Sequence, residues 1–170
     1  NASINPGVTT DSIGDGVDSN CDGQDGVATN TVFVSASTGS DTSTCGDVSA
    51  PCASITQGQV RAASLARTQV QVASGTYAKF VVASGLEIGG HYDSTTWSKV
   101  GAGPSVITAS FDASVSGPVG IIATGIMTAT KVADFVVNGA AAAAGQASYG
   151  IIVNSSSSAL VFDTVTVNGG

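Results

Sequence analysis

Two stretches in the C-terminal part of the chain share one alternation of apolar and polar positions. One reads GIIATGIMTATKVADFVVNG, Gly120 to Gly139, and the other reads GIIVNSSSSALVFDTVTVNG, Gly150 to Gly169. Both open on Gly-Ile-Ile and close on Val-Asn-Gly, with the insert AAAAAGQASY between them. The offset from Gly120 to Gly150 is 30 residues, so one supersecondary unit is used more than once. Within each copy, Phe135 and Val137 align with Val165 and Val167 as inward positions, and Val136 and Thr166 point outward. Asn138 and Asn168 also align, which predicts an Asn ladder in a turn. Strand-rich copies with no amphipathic helix between them suit coils stacked strand over strand, as in a parallel β-helix.

The same pattern predicts the other elements. Thr31–Ser35 is a β-branched and aromatic strand, and Val70 and Val72 alternate with glutamines in another. Ser74-Gly75-Thr76-Tyr77 reads as a turn, followed by short strands at Phe80–Val82 and Leu86–Ile88, then at Val106-Ile107 and Gly120–Ile122. His91, Tyr92, Trp97 and Lys99 fall in a loop after Gly89-Gly90. The Ala140–Ala144 run is too short for a stable helix and reads as a surface loop. Only residues 54–68 read as a helix. Ser54 followed by Gln57 suggests a capping box, and Ile55, Val60 and Leu65, with the alanines between, would form its apolar stripe. Such a helix would close the N-terminal end of the stack, with Arg61 and Arg67 as surface charges.

Composition sharpens this picture. Charged residues are 10% of the chain and aromatics 5%, a profile of β structure with small turn residues rather than a helix bundle. Of the twelve acids, Asp11, Asp15, Asp18, Asp22 and Asp25 fall in the first 25 residues; removing them leaves seven acids against five bases, a net of −2. The acidity is therefore local. A nearly neutral body excludes the basic footprint that nucleic acid requires. No run of about 18 apolar residues is present, so no membrane span is expected. With no initiator Met and no leader pattern, the chain reads as a mature product or a fragment, ending on Asn168-Gly169-Gly170 without a cap.

Residues 1–30 are almost all turn formers and read as an irregular acidic loop, leaving 31–170 as the β-helix body. Asp18-x-Asn20-x-Asp22-Gly23 matches the opening half of an EF-hand loop, in which alternate side chains supply oxygen to Ca²⁺. The position of the bidentate Glu is Thr29, so Asp25, Asp15 or Asp11 would complete the shell. The expected metal ligands are thus Asp11, Asp15, Asp18, Asn20, Asp22 and Asp25, and the expected cofactor is Ca²⁺. Asn5-Pro6-Gly7 and Asp15-Gly16-Val17-Asp18-Ser19-Asn20-Cys21-Asp22-Gly23 resemble the metal-binding repeat of secreted and surface proteins of deltaproteobacteria and their relatives. That repeat often has a second Cys shortly before the motif. Here Ser12-Ile13-Gly14 stands in that region, leaving Cys21 unpaired or its partner elsewhere.

Cys45 and Cys52 flank a short loop containing Gly46 and Pro51. In an extracytoplasmic setting a disulfide is expected, and proximity favours Cys45 with Cys52 over pairings with Cys21. From Thr31 onward the succession becomes specific: a Val-Ser strand, Gly39-Ser40-Asp41, Cys45-x₆-Cys52, the helix, Val70-x-Val72-Ala73-x-Gly75-Thr76-Tyr77, then Gly85-Leu86-x-Ile88-Gly89-Gly90-x-Tyr92. This resembles the N-terminal half of pectate-lyase-like right-handed β-helices of secreted bacterial surface proteins. The resemblance implies an all-β solenoid at the cell surface or outside the cell. It does not imply an activity, because that superfold carries lyases, hydrolases, adhesins and structural proteins alike.

The expected function is a non-catalytic structural or adhesive module with a calcium-stabilised loop. Its expected partners are a surface polysaccharide or a second copy meeting it head to tail, which would build a filament. The alternative is a polysaccharide lyase or hydrolase. For that, the coils offer Glu87, Asp93, Asp112, Asp134 and Asp163 as carboxylates and Lys79, Lys99 and Lys131 as bases, widely spaced along the chain.

Overall fold

The computed structural model describes residues 4–13 and 15–170, so residues 1–3 and Gly14 of the predicted acidic loop lie outside it. In chain order the elements are β1 (Thr31–Val34), α1 (Ile55–Leu65), β2 (Gln69–Ala73), β3 (Gly75–Ala78), β4 (Phe80–Val81), β5 (Glu87–Tyr92), β6 (Ser105–Thr108) and β7 (Ser110–Asp112). They continue with β8 (Gly117–Thr124), β9 (Thr130–Ala133), β10 (Phe135–Asn138), β11 (Tyr149–Asn154), β12 (Leu160–Asp163) and β13 (Thr166–Asn168). The protein is mainly β, with parallel sheets that do not close into a barrel.

From β2 onward the chain visits three sheets in rotation. The first sheet runs β1-β2-β5-β9-β12, the second β3-β6-β10-β13 and the third β4-β8-β11; β7 pairs antiparallel with β8. The repeat seen in the sequence is the register of these sheets. Ile121 pairs with Ile151, Val132 with Phe162 and Asn138 with Asn168, each 30 positions on. The predicted Asn ladder is present, Asn168 Nδ2 donating to Asn138 Oδ1 at 2.8 Å.

The repeated glycine that opens each copy has a packing reason. A Cβ on Gly120 would lie 2.4 Å from Val137 Cγ1, and one on Gly150 would lie 2.2 Å from Val167 Cγ1. The Gly that opens a copy thus makes room for the Val that closes it. Inward side chains of all three sheets fill one core, among them Val70, Ile88, Ile107, Ile121, Val132, Phe135 and Val137.

Helix α1 has the predicted N-cap, Ser54 Oγ accepting from the Gln57 amide at 3.1 Å. The reciprocal bond of a capping box is not made, because the Ser54 amide donates to Asp41 Oδ1 at 2.9 Å and Gln57 Nε2 turns to the Thr42 carbonyl. The expected stripe is corrected: Val60 and Leu65 are 55% and 40% exposed. Steps of five residues rotate off one helix face, whereas the buried set Ile55, Gly58, Gln59 and Ala62 follows the i, i+3, i+4, i+7 spacing. Gly58 lets the helix settle on Val34 and Val70, over the start of the core.

The outer edge of β1 is occupied as well. Cys52 N donates to Phe33 O, Ser35 N to Cys52 O and Phe33 N to Gly46 O. The Cys45–Cys52 disulfide forms as expected and holds that covering segment. These bonds occupy the outer side of β1, the end strand of the first sheet.

Two further expectations change. Gly75-Thr76-Tyr77 is strand, not turn, and the corner falls at Ser74. Gly89 to Tyr92 continue β5 rather than starting a loop. Gly89 and Gly90 each meet something closely packed: Ile13 at Gly89, and Ser105, Phe135 and the Asp134 carbonyl at Gly90.

Candidate metal site

The outward positions of the first sheet form rows across the strands. One row is Thr31, Gln69, Glu87, Lys131 and Val161; the next is Phe33, Gln71, Gly89, Ala133 and Asp163. Outward residues usually meet solvent, yet Gln69 is 4% exposed and Gln71 is fully buried. The acidic segment covers them. Ile13, 1% exposed, packs its branches against Gly26 and Gly89. Gln69 Nε2 donates to the Asp11 carbonyl at 2.6 Å, and Gln69 Oε1 accepts from the Val27 amide at 2.8 Å. Gln71 Nε2 donates to the Asp25 carbonyl. The acidic segment is thus a strap seated on the sheet.

Asp11 lies at the heart of the strap. It is 6% exposed, and its Oδ2 accepts from the amides of Ser19 at 3.2 Å and Gly26 at 3.0 Å. Its Oδ1 is buried with no hydrogen-bond partner. Asp25 is 7% exposed and accepts from the Tyr92 hydroxyl at 2.7 Å and the Gly16 amide at 3.3 Å.

The remaining predicted ligands shape the turn. Asp18 is half-buried, and its two oxygens accept from the amides of Asp22 and Gly23 at 3.1 and 3.0 Å. Asn20 Oδ1 accepts from the Asp22 amide at 2.9 Å. Asp22 is exposed and accepts from the amides of Gln24 and Ala28, both at 3.0 Å. Asp15 is exposed and accepts from the Val17 amide at 3.0 Å.

Among the described residues, no three His, Cys, Asp or Glu side chains converge as a metal-binding group. The donor set nonetheless suits a hard cation on one count. Asp11 Oδ1 is a buried carboxylate oxygen left without a donor, an arrangement that is costly unless charge or hydrogen bonding compensates it. None of the four ion pairs among the described residues includes Asp11, Asp15, Asp18 or Asp22. The amide bonds to the other carboxylates do not exhaust them, since an ionised carboxylate has about four acceptor positions.

The residues considered for catalysis are occupied elsewhere. Lys79 pairs with Asp112 at 2.7 Å, Lys99 with Asp134, and Lys131 with Asp163 at 3.6 Å. Asp112 is held down to about 2, first by its hydrogen bond to Lys79 and then by the hydroxyl and amide of Ser114. Asp93 is lowered by the amides of Thr96 and Thr95 and by the Thr96 hydroxyl. Glu87 accepts from Gln69 Nε2 at 3.0 Å. Trp97 stacks edge-on against Phe33 in a small apolar cluster with Ala73 and Tyr92, so it is a packing residue. Arg61 Nε donates to the Cys45 carbonyl, and Arg67 bonds both Thr31 O and Asp47, fastening the helix rather than decorating it. Cys21 is an exposed free thiol.

Gln69, Gln71, Ile13 and Tyr92 are the residues that sequence reasoning missed. The one available signal was the Gln-Val alternation of β2, which places both glutamines outward but does not say that anything covers them. Compared with family models, with curated proteins and with solved structures, the chain matches none.

Proposed function

We propose that the chain is a right-handed parallel β-helix that serves as a non-catalytic extracellular module, structural or adhesive, with its acidic strap stiffened by calcium. The observation that carries this reading is the pairing of each candidate base, Lys79, Lys99 and Lys131, with a carboxylate that a lyase or hydrolase would need. The rotation of the chain through three parallel sheets supports the solenoid, as does the resemblance to pectate-lyase-like surface proteins. The Cys45–Cys52 disulfide supports an oxidising compartment outside the cytoplasm.

Asp11 would hold the calcium ion through its unpartnered oxygen; the other ligands proposed for the shell are Asp15, Asp18, Asn20, Asp22 and Asp25, which would have to draw together around it. Bound there, the ion supplies positive charge to a segment that carries five acids in its first 25 residues. Beside the strap lies a cavity of about 520 Å³ lined by Thr10, Ser12, Asn30, Gln69 and Glu87 among others. The hydroxyls of Thr10 and Ser12 and the carboxylate of Asp15 in its lining suit the hydroxyls of a surface polysaccharide, the partner of the adhesive form of this reading.

The test is incubation with acidic and neutral polysaccharides in calcium buffer, followed by affinity electrophoresis and an assay for new reducing ends and unsaturated products. The proposal expects retardation on some gels and no product on any. Sustained product release would overturn the non-catalytic reading in favour of a lyase or hydrolase.

A further inference from the structure

We infer that calcium binding and the seating of the strap on the first sheet are a single coupled equilibrium, transmitted through Gln69 and Gln71. This rests on the calcium reading above and goes beyond it, because an ion could equally stiffen an acidic loop that touches nothing.

The coupling follows from which atoms of each residue are engaged. Asp11 uses its main-chain carbonyl to accept from Gln69 and its side chain to gather the amides of Ser19 and Gly26. Its second oxygen is buried and unpartnered in the same place. Asp25 repeats the arrangement: its main-chain carbonyl accepts from Gln71, while its side chain accepts from Tyr92, a fully buried residue at the end of β5. Ile13 is wedged between these two anchors and fills the space left by Gly26 and Gly89.

The residue that would hold the ion and the residue that ties the strap to β2 are therefore one and the same. Lifting the strap withdraws Asp11 from Gln69 and opens the turn that would surround the ion. Seating it rebuilds both. By linkage, whatever factor the ion contributes to seating, seating contributes to ion affinity.

The probe is Ca²⁺ alone, added to EDTA-stripped protein, with binding followed by titration calorimetry and amide exchange followed by mass spectrometry. In the wild type we expect one ion bound, with exchange slowed about tenfold or more in residues 15–27 and also in β2. In Gln71→Leu we expect Ca²⁺ affinity to fall at least tenfold and the effect on β2 to vanish. Tyr92→Phe, which keeps the ring, carries the same expectation at smaller size should Gln71→Leu not fold. Unchanged affinity in both variants, or protection confined to residues 15–27 in the wild type, overturns the coupling and leaves the calcium reading standing. No binding by the wild type overturns the calcium reading and the coupling with it.

Discussion

The hydroxyl of Tyr92 donates to the carboxylate of Asp25 at 2.7 Å across 67 residues of sequence, joining the acidic strap to the end of β5. Tyr92 is fully buried, and the Lys99 ammonium lies 5.0 Å from its ring centre while pairing with Asp134. A hydrogen bond to a charged acceptor contributes about 1.5–3 kcal/mol. Tyr92→Phe should lower unfolding stability by about that amount in a urea titration. A variant as stable as wild type would mean that the bond contributes nothing net.

Helix α1 sits where it does because residue 58 has no side chain. A Cβ there would lie 2.4 Å from Val34 Cγ2, inside the buried core. Gly→Ala within a helix ordinarily gains about 1 kcal/mol. Overpacking a core costs about 1–3 kcal/mol, so Gly58→Ala should be net neutral to destabilising, and Gly58→Val clearly destabilising. Thermal melts of both variants check this. A stabilised Gly58→Ala would show that the helix floats off the core end.

The Cys45–Cys52 bridge closes a loop of sequence separation 7 and anchors the segment that covers the β1 edge. Closing so short a loop stabilises by roughly 2–3 kcal/mol in the chain-entropy model. Both cysteines are almost wholly buried, so reduction should require prior opening of the 45–52 loop. Urea midpoints of the Cys45→Ser/Cys52→Ser double variant should drop accordingly, and an unchanged midpoint would contradict it.

Asp112 and Tyr77 each contribute to the pH dependence of stability. Asp112 is depressed from 3.8 to about 2 by Lys79 and Ser114, so its contribution is present above pH 4 and is lost as pH falls from there toward 2. Tyr77 is pushed from 10.0 up to about 12 by burial, partly offset by the Ala36 amide that donates to its oxygen. Its contribution is present below pH 10 and is lost as pH rises toward 12. Melting curves across pH should show Asp112→Asn flattening the acid limb and Tyr77→Phe flattening the alkaline limb. Identical limbs in wild type and variants would rule out both assignments.

Much of the scaffold was legible because the register of its parallel sheets is written in sequence spacing. The Gly120 and Gly150 copies predict the pairing of Ile121 with Ile151 and Asn138 with Asn168, and a strand period of two separates Val136 from its inward neighbours. Ser54 and the two cysteines were legible because capping and loop closure are local. The strap was not. Its seat depends on Gln69 and Gln71, whose outward positions look solvated until residues about 45–60 positions earlier fold back over them. Likewise Val60 and Leu65 were misplaced because apolar identity alone does not define a helix face, and Gly89-Gly90 because a glycine inside a strand can mark close packing as readily as a turn.

The central claim is that calcium stabilises the folded protein through the acidic strap, and thermal unfolding in Ca²⁺ against EDTA, with Mg²⁺ as control, tests it most directly. A ligand at about 100 times its dissociation constant adds about 2.7 kcal/mol to the folded state. At about 2–4 °C per kcal/mol for a chain of this size, the midpoint should rise by about 5–10 °C in Ca²⁺ and much less in Mg²⁺, and Asp11→Asn should abolish most of the rise. Superimposable curves in Ca²⁺ and EDTA would contradict the claim.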